Sequence, residues 1–487
     1  MLHDIDTMCV LEDKKVDSLY NKLEVYGNSG IYPYHMPGHK RHMHFAPMAE
    51  AYAIDLTEVD GSDNLYHADG IIREAMQRAA NLYHAEETHF LVNGSTGGIL
   101  SAISACVRQG GHILMARNCH RSAYSAVMLK KLHSTYLYPE YIKDWQMMGG
   151  ITQESVKVVL EEHPDIQAVF ITSPTYEGLV SDVRKIAEEV HKHNIPLIVD
   201  EAHGAHFGLE EALPASAVTE GADIVIQSLH KTLPSFTQTA LLHINGERVD
   251  REKLRMYLSV YQTSSPSYVF MAGIDQCIQL LEEQRMELFA QFYKNRQQFF
   301  EQVKELKHIK ILNYNIVGTY GVVAMDVCKL VISVHDTDCS GQRLYEMLLH
   351  EYGLQMEMAA ATYVLAIVTI MDTKEGFDRL AKALLAIDKI LHLSVETQIE
   401  TVAGYDCGKQ VFVIGEAVEK EWENCELTVC KNCIAADYIC VYPPGIPLIV
   451  PGEQFTSELI RQIETYQREG LCLLGVEKNQ NTVKVVK

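Results

Sequence analysis

No apolar run in this chain reaches the roughly 18 residues that a membrane-spanning helix needs, so no membrane partner is expected. The first residues, MLHDIDTMCVLEDKK, carry acids early and lack an apolar core segment. That pattern does not fit a secretory signal peptide, and the cytoplasm is the expected compartment. Positive charge is in deficit: 42 Lys and Arg against 64 Asp and Glu give a formal net charge of −22. Nucleic acid and anionic lipid are therefore poor partners. The pattern G-x-x-x-x-G-K-[ST] is absent, which disfavours nucleoside triphosphates and removes the helicase reading of the DEAH string at Asp200–His203. There is no internal repeat and no low-complexity tract. Arginine is scarce in one region: between about residues 310 and 400 only Arg343 and Arg379 occur.

The 487 residues are 47% hydrophobic and 22% charged, ordinary for a soluble globular chain and too many for one simple core. Two or three domains are expected. The 12 cysteines are scattered and read as thiols, not as a disulfide framework. Cys425, Cys430 and Cys433 match part of an iron–sulfur spacing, with Cys440 close by. Their segment, LTVCKNCIAADYICVYPPG, reads instead as strand, turn, strand, with cysteine as a small buried hydrophobe. No metal is expected.

Residues 1–30 read as an amphipathic arm. From 31 to about 70, Gly, Pro, His and Asp dominate and the chain reads mostly as loop. A helical pattern begins at Ile72. Short apolar runs then alternate with helices: Phe90–Val92, the helix opened by GSTGG, HILMA, QAVFITSP, the helical DVRKIAEEVHKH, IPLIVD and ADIVIQS. This alternation predicts an α/β domain with a mainly parallel sheet covered on both faces. A long helix is predicted over 271–306, with Ile274, Cys277, Leu280 and Leu281 on one face. It leads to a smaller α+β unit in which GTYGVVAMDVCKLV and ATYVLAIVTIMD read as strands and GFDRLAKALLAIDKIL as a helix. A further small unit contains YPPGIPLIVPGE.

Three groups carry chemistry. Gly94, Ser95, Thr96, Gly97 and Gly98 follow a strand and open a helix, so free N–H groups and two hydroxyls converge where a phosphate could sit; a plain capped turn would look the same. Asp200 ends an apolar run at the carboxyl edge of the sheet, where open α/β folds bind ligands. A carboxylate there can pair with a pyridinium N–H, and Ala202 leaves room for a ring face. His203 can reach a ring hydroxyl or a substrate. Lys231 follows Ser228 and His230 at the end of ADIVIQS. Burial would lower its pKa and free the amine to form an imine, while Ser228 and His230 could donate to a phosphate. Together these are the groups that hold pyridoxal 5'-phosphate. His120, in RNCHRSAYSA, could stack on a ring, although a hydrogen-bonded structural histidine is the simpler account. The uncharged TLPSFTQTALL after Lys231 predicts an enclosed site.

In order, MPGHK (Met36–Lys40), DGSDNLYH (Asp60–His67), NGSTGG (Asn93–Gly98), NCHRS (Asn118–Ser122), SPTYEG (Ser173–Gly178), DEAHGAH (Asp200–His206), SLHKTL (Ser228–Leu233), SSPSY (Ser264–Tyr268) and PPGIPLIVPGE (Pro443–Glu453) resemble the bacterial ornithine/lysine/arginine decarboxylase family. The resemblance spans nearly the whole chain. It implies an aspartate-aminotransferase-like fold of the type I pyridoxal-phosphate enzymes, and decarboxylation of a basic amino acid. Carried over, Lys231 is the imine-forming lysine and Asp200 the ring-nitrogen partner. Gly94, Ser95, Thr96, Ser228 and His230 hold the phosphate, His120 stacks on the ring, and His203 lies near the ring hydroxyl and substrate carboxylate. Catalysis would fall to Lys231, His203 and Asp200.

The resemblance also implies a homodimer or dimer-based oligomer, with MPGHK, DGSDNLYH and SSPSY supplied partly by the partner subunit. The short stretch before MPGHK matches the short form without an N-terminal wing domain, often biosynthetic for polyamines. The implied divisions are 1–30, an N-terminal arm; 31–300, the cofactor-binding large domain; 301–395, a small α+β domain; and 396–487, a C-terminal decarboxylase domain. Arginine is the favoured substrate, to give agmatine; lysine and ornithine remain open. Glu58, Asp60, Asp63 or Glu453 could receive the substrate's distal cation. Two other readings are an aminotransferase or cysteine desulfurase of the same fold, and a cofactor-free interaction protein on the same scaffold. The scarcity of arginine beyond residue 310 disfavours an aminotransferase, which usually clamps a retained carboxylate.

Overall fold

The computed structural model describes residues 18–29, 48–394, 408–442, 445–468, 470–477 and 480–487. The MPGHK motif, Pro443 and Pro444, and residues 1–17 of the arm lie outside them.

The apolar runs assemble into one seven-stranded sheet. Its strands are β1 (Glu87–Leu91), β2 (His112–Ala116), β3 (His133–Leu137), β4 (Ile166–Thr172), β5 (Leu197–Asp200), β6 (Ile224–Ser228) and β7 (Ala240–Ile244), in the order β1-β7-β6-β5-β4-β2-β3. Neighbours from β6 to β3 are parallel, whereas β7 runs antiparallel to both β6 and β1. β5, β6 and β7 are buried along their whole length, as expected of strands covered on both faces. Side-chain alternation divides the cover. Leu91, Ile226 and Leu242 face one core with helix α1 (Gly94–Cys106) and helix α2 (Arg121–Leu129). Phe90 and Leu241 face another core with the long helix α3 (Tyr268–Val303). The part of the arm that is described, Leu19–Gly27, is a helix docked on α3: Asp275 accepts from the N–H of Leu19 at 2.8 Å.

A second sheet follows α3. Its strands β8 (Lys310–Ile311), β9 (Lys329–Ser333), β10 (Met358–Ala359) and β11 (Tyr363–Ile367) lie in the order β8-β9-β11-β10, all antiparallel, backed by helix α4 (Lys374–Asp388). The expected single strand over GTYGVVAMDVCKLV is broken. Gly318, Tyr320 and Gly321 take positive φ, so the chain turns there, and only Ala324–Met325 and β9 are extended.

The C-terminal unit holds β12 (Ile439–Val441), β13 (Ile446–Ile449) and a helix over Ser457–Arg468. Here a sequence expectation fails: LTV of LTVCKNC is a 3-10 turn (Leu427–Val429), not a strand. Cys425, Cys430 and Cys433 lie near one another but are not among the groups of three placed to share one ion. Among the described residues, the groups of three ligating side chains are His112, His163, Asp165 and His206, Asp326, Cys328. The ten described cysteines are free thiols.

Arg117 joins this unit to the large sheet. It is fully buried and donates to the carbonyls of Pro447 (2.8 Å) and Leu448 (3.2 Å) and to Glu453 (3.1 Å).

Candidate active site

The carboxyl ends of β1, β2, β4, β5 and β6 open into one cavity of about 670 Å³. Gly94, Ser95, Thr96, His120, Asp200, His203, Ser228, His230 and Lys231 all line it. Residues separated by more than a hundred positions in sequence therefore share one space.

The turn from β1 into α1 explains the glycines. Gly94 has φ +67°, which an L side chain rarely adopts. A Cβ on Gly98 would stand 2.6 Å from Leu91 Cδ1 and 3.3 Å from Ile226 Cγ2, so the helix start lies close against the sheet. Asn93 precedes the helix without capping it and donates to the carbonyl of Tyr261 instead. Among the described residues no side chain caps the start of α1, and Ser95 and Ser228 lie beside it with their hydroxyls 2.7 Å apart. This end of the cavity fits a phosphate.

Asp200 is buried and accepts one hydrogen bond, from the N–H of Ala202 at 3.1 Å; among the described residues it has no ion-pair partner. Burial pushes its pKa up, against the pull of Lys231 and the Ala202 N–H. A buried carboxylate with so little compensation suits a ligand that brings an N–H cation.

A short helix, Leu229–Thr232, begins where β6 ends and turns Lys231 inward. The Lys231 pKa is lowered, chiefly by burial; Asp200 opposes this and Lys329 adds to it. Its Nζ lies 3.1 Å from Nε2 of His203. Burial, and then Lys231, hold His203 well below the ordinary imidazole range, so its ring is neutral. Its Nδ1 is buried without a partner among the described residues.

His120 caps α2: its Nδ1 accepts from the N–H of Ser122 at 3.2 Å. Burial brings its pKa down to about 4. The ring is thus neutral and anchored at one edge. His230 is similarly anchored, donating from Nδ1 to the carbonyl of Thr239 at 3.0 Å.

Other expectations fall elsewhere. None of Glu58, Asp60, Asp63 and Glu453 lines the cavity. Asp63 braces its own loop, accepting from the N–H groups of Asn64, Asp69, Gly70 and Ile72 at 2.7–3.0 Å. Glu453 is spent on Arg117. DGSDNLYH and SSPSY meet each other, with the Tyr268 hydroxyl donating to the carbonyl of Asp63 at 2.7 Å, but neither lines the cavity. Arg343 and Arg379 are exposed.

The cavity wall also contains Tyr176, Glu177 and Glu357, which sequence reasoning assigned no role. For the first two the SPTYEG motif was the available signal; for Glu357 there was none. Behind the wall, fully buried Lys329 pairs with Asp326 at 3.1 Å and reaches toward the carbonyl of His203 at 3.5 Å.

Comparison with known proteins places this geometry. Residues 17–374 match the family model described as Orn/Lys/Arg decarboxylase, major domain, and residues 410–479 match the C-terminal domain of the same family. Among curated relatives, an arginine decarboxylase of Bacillus subtilis (strain 168) is 30% identical over 477 residues, covering 96% of this chain and 97% of its own. Among solved structures, the lysine decarboxylase LdcF of Francisella novicida aligns with a TM-score of 0.80 at 18% identity, over 96% of this chain and 81% of that one. A structure of SPT with PLP aligns at a TM-score of 0.52 and 14% identity, over 67% of this chain and 80% of that one. The fold is that of the type I, aspartate-aminotransferase-like enzymes.

Proposed function

This chain belongs to the Orn/Lys/Arg decarboxylase family, and on that premise we propose that it decarboxylates arginine to agmatine with pyridoxal 5'-phosphate as cofactor. The observation that carries the reading is the arrangement of one cavity: Lys231 and Asp200 at strand ends, with Ser95, Ser228 and the uncapped start of α1 beside them. The arginine choice draws on the full-length relative from Bacillus subtilis; lysine and ornithine are the alternatives.

In this reading Gly94, Ser95, Thr96, Ser228 and His230 hold the phosphate. Asp200 pairs with the ring nitrogen, and His120 packs on the ring face. Bound through Lys231, the cofactor supplies an electron sink for the pair of electrons left when carbon dioxide departs. The chain's own residues do the rest. Asp200 keeps a proton on the ring nitrogen. The low-dielectric floor holds Lys231 neutral enough to attack, and later to exchange for the substrate amine. His203, touching Lys231, positions that amine and passes a proton to or from it. Lys231 or His203 returns a proton to the substrate α-carbon. Among the described residues no arginine lines the cavity, which suits a carboxylate that leaves better than one that is retained.

The same reading includes a cytoplasmic homodimer acting in polyamine biosynthesis and the four divisions 1–30, 31–300, 301–395 and 396–487. No helix among the described residues is long and apolar enough to cross a membrane.

The test is release of carbon dioxide from arginine, lysine and ornithine side by side, with keto-acid formation followed in parallel. Agmatine as the main product supports the proposal; a keto acid without carbon dioxide points to the aminotransferase reading and overturns it.

A further inference from the structure

Past Lys231 the cavity runs to a wall built from the loop after β4 and the edge of the second sheet. Tyr176 meets His203 there in an edge-on contact, with ring centroids 4.5 Å apart. Its hydroxyl donates to Oε1 of Glu357. Beside it, the Tyr363 hydroxyl donates to Oε1 of Glu177 at 2.9 Å. Among the described residues, these two and Asp200 are the carboxylates that line the cavity, and its basic side chains are Lys231, His120, His203 and His230. Thr362 lies on the same wall, only 4% exposed, and its hydroxyl has no partner among the described residues.

The two tyrosines orient the carboxylates without neutralising them. Burial pushes the Glu177 pKa up, against the pull of hydrogen bonds from Tyr363 and Thr175 and the charge of Lys329; a buried carboxylate that stays raised against these pulls suits a ligand that brings a cation. The line Lys231, His203, Tyr176, Glu357 then runs from the reacting amine to an acidic end. A substrate whose α-amine sits at Lys231 would carry its side chain along it.

We propose that Glu177 and Glu357 form the subsite for the distal cation of the substrate, and that its preferred ligand is a planar guanidinium. Two carboxylates and a spare hydroxyl match a flat fork of five N–H donors better than a compact ammonium. The assignment rests on the decarboxylase reading above.

The test uses the cofactor-loaded enzyme and its E177Q and E357Q variants. Binding of agmatine and of pentylamine, which has no distal cation, is measured by calorimetry, alongside KM and kcat for arginine. The wild type should prefer agmatine, and each variant should reduce that preference by about tenfold or more, with KM rising more than kcat falls. An agmatine-to-pentylamine ratio unchanged in E357Q overturns the proposal. Glu357 is exposed, so that variant decides even where E177Q fails to fold, as judged by its thermal midpoint. A wild type that releases no carbon dioxide from any basic amino acid sinks the decarboxylase reading instead; an active wild type with indifferent variants sinks only the subsite.

Discussion

The side-chain nitrogen of Lys231 and Nε2 of His203 lie 3.1 Å apart on the floor of the cavity, and burial drives both toward their neutral forms. In the tautomer in which neutral Lys231 donates to Nε2 of His203, the lysine lone pair is left available. Lys231→Ala removes that amine. The variant should release no carbon dioxide, and borohydride should fix no pyridoxyl group to the chain. Retained turnover would falsify the assignment of Lys231.

The same burial predicts a pH effect. Because the Lys231 pKa is lowered from 10.5, its amine is already neutral at a pH where a free lysine is still protonated. Covalent reloading of the apoprotein with cofactor should therefore have a pH midpoint below 10.5. A midpoint at or above that value would show that burial does not set the reactivity.

In the proposed reading Asp200 works through its charge. Asp200→Asn keeps the shape but loses the anion that, on that reading, holds a proton on the cofactor's ring nitrogen. Carbon dioxide release should fall on the order of 10²-fold or more, while Asp200→Glu should recover part of it. Steady-state rates in cofactor-saturated protein measure this; an asparagine variant within a few-fold of wild type would remove Asp200 from the mechanism.

A separate pH effect concerns stability. His243 lies in β7 with both ring nitrogens engaged, Nδ1 with the Thr88 hydroxyl at 2.8 Å and Nε2 with Gln227 Oε1 at 3.0 Å. Burial lowers its pKa from 6.5 to about 3. Between those values the unfolded chain takes up a proton that the folded chain refuses. This contribution is present in full above pH 6.5 and is lost as pH falls toward 3. It amounts to about 1.4 kcal/mol per pH unit. Unfolding free energies from urea denaturation at pH 5.5 and 4.5 should differ less in His243→Gln by about that amount; an unchanged difference would count against a neutral buried ring.

The Arg117–Glu453 pair ties the C-terminal unit to the large sheet. Arg117→Met leaves Glu453 buried without its cation and should cost about 3–5 kcal/mol, read from urea denaturation. Limited proteolysis should then cleave the C-terminal unit before the rest. Wild-type stability and an unaltered digestion pattern would mean the pair carries little.

Some of this site was readable before folding. Asp200 and Lys231 end uninterrupted apolar runs, and such runs are confined to a sheet core, so their last polar residues had to face its carboxyl edge. β3 was missed because HSTYL buries little along its length and lacks an apolar signature. β7 was missed because Ala240–Ile244 follows a loop with no turn pattern marking its start. Glu177 and Glu357 were missed for a different reason: among 64 acids, depth in a cavity is set by how the edge of the second sheet reaches over the first. Asp63 misled because its oxygens are consumed by nearby N–H groups, a local brace that looks like a free carboxylate in a loop.

β7 is the one strand that joins β6 to β1, and its partners come from residues 224–228 and 87–91. Ser95 hangs on one side of this joint and Ser228 on the other. Until residues 240–244 have threaded between them, the chain holds two halves of an anion cradle and no whole one. On the proposed reading, a phosphate site split in this way is whole only once β7 is in place, so cofactor is expected to load onto the finished sheet.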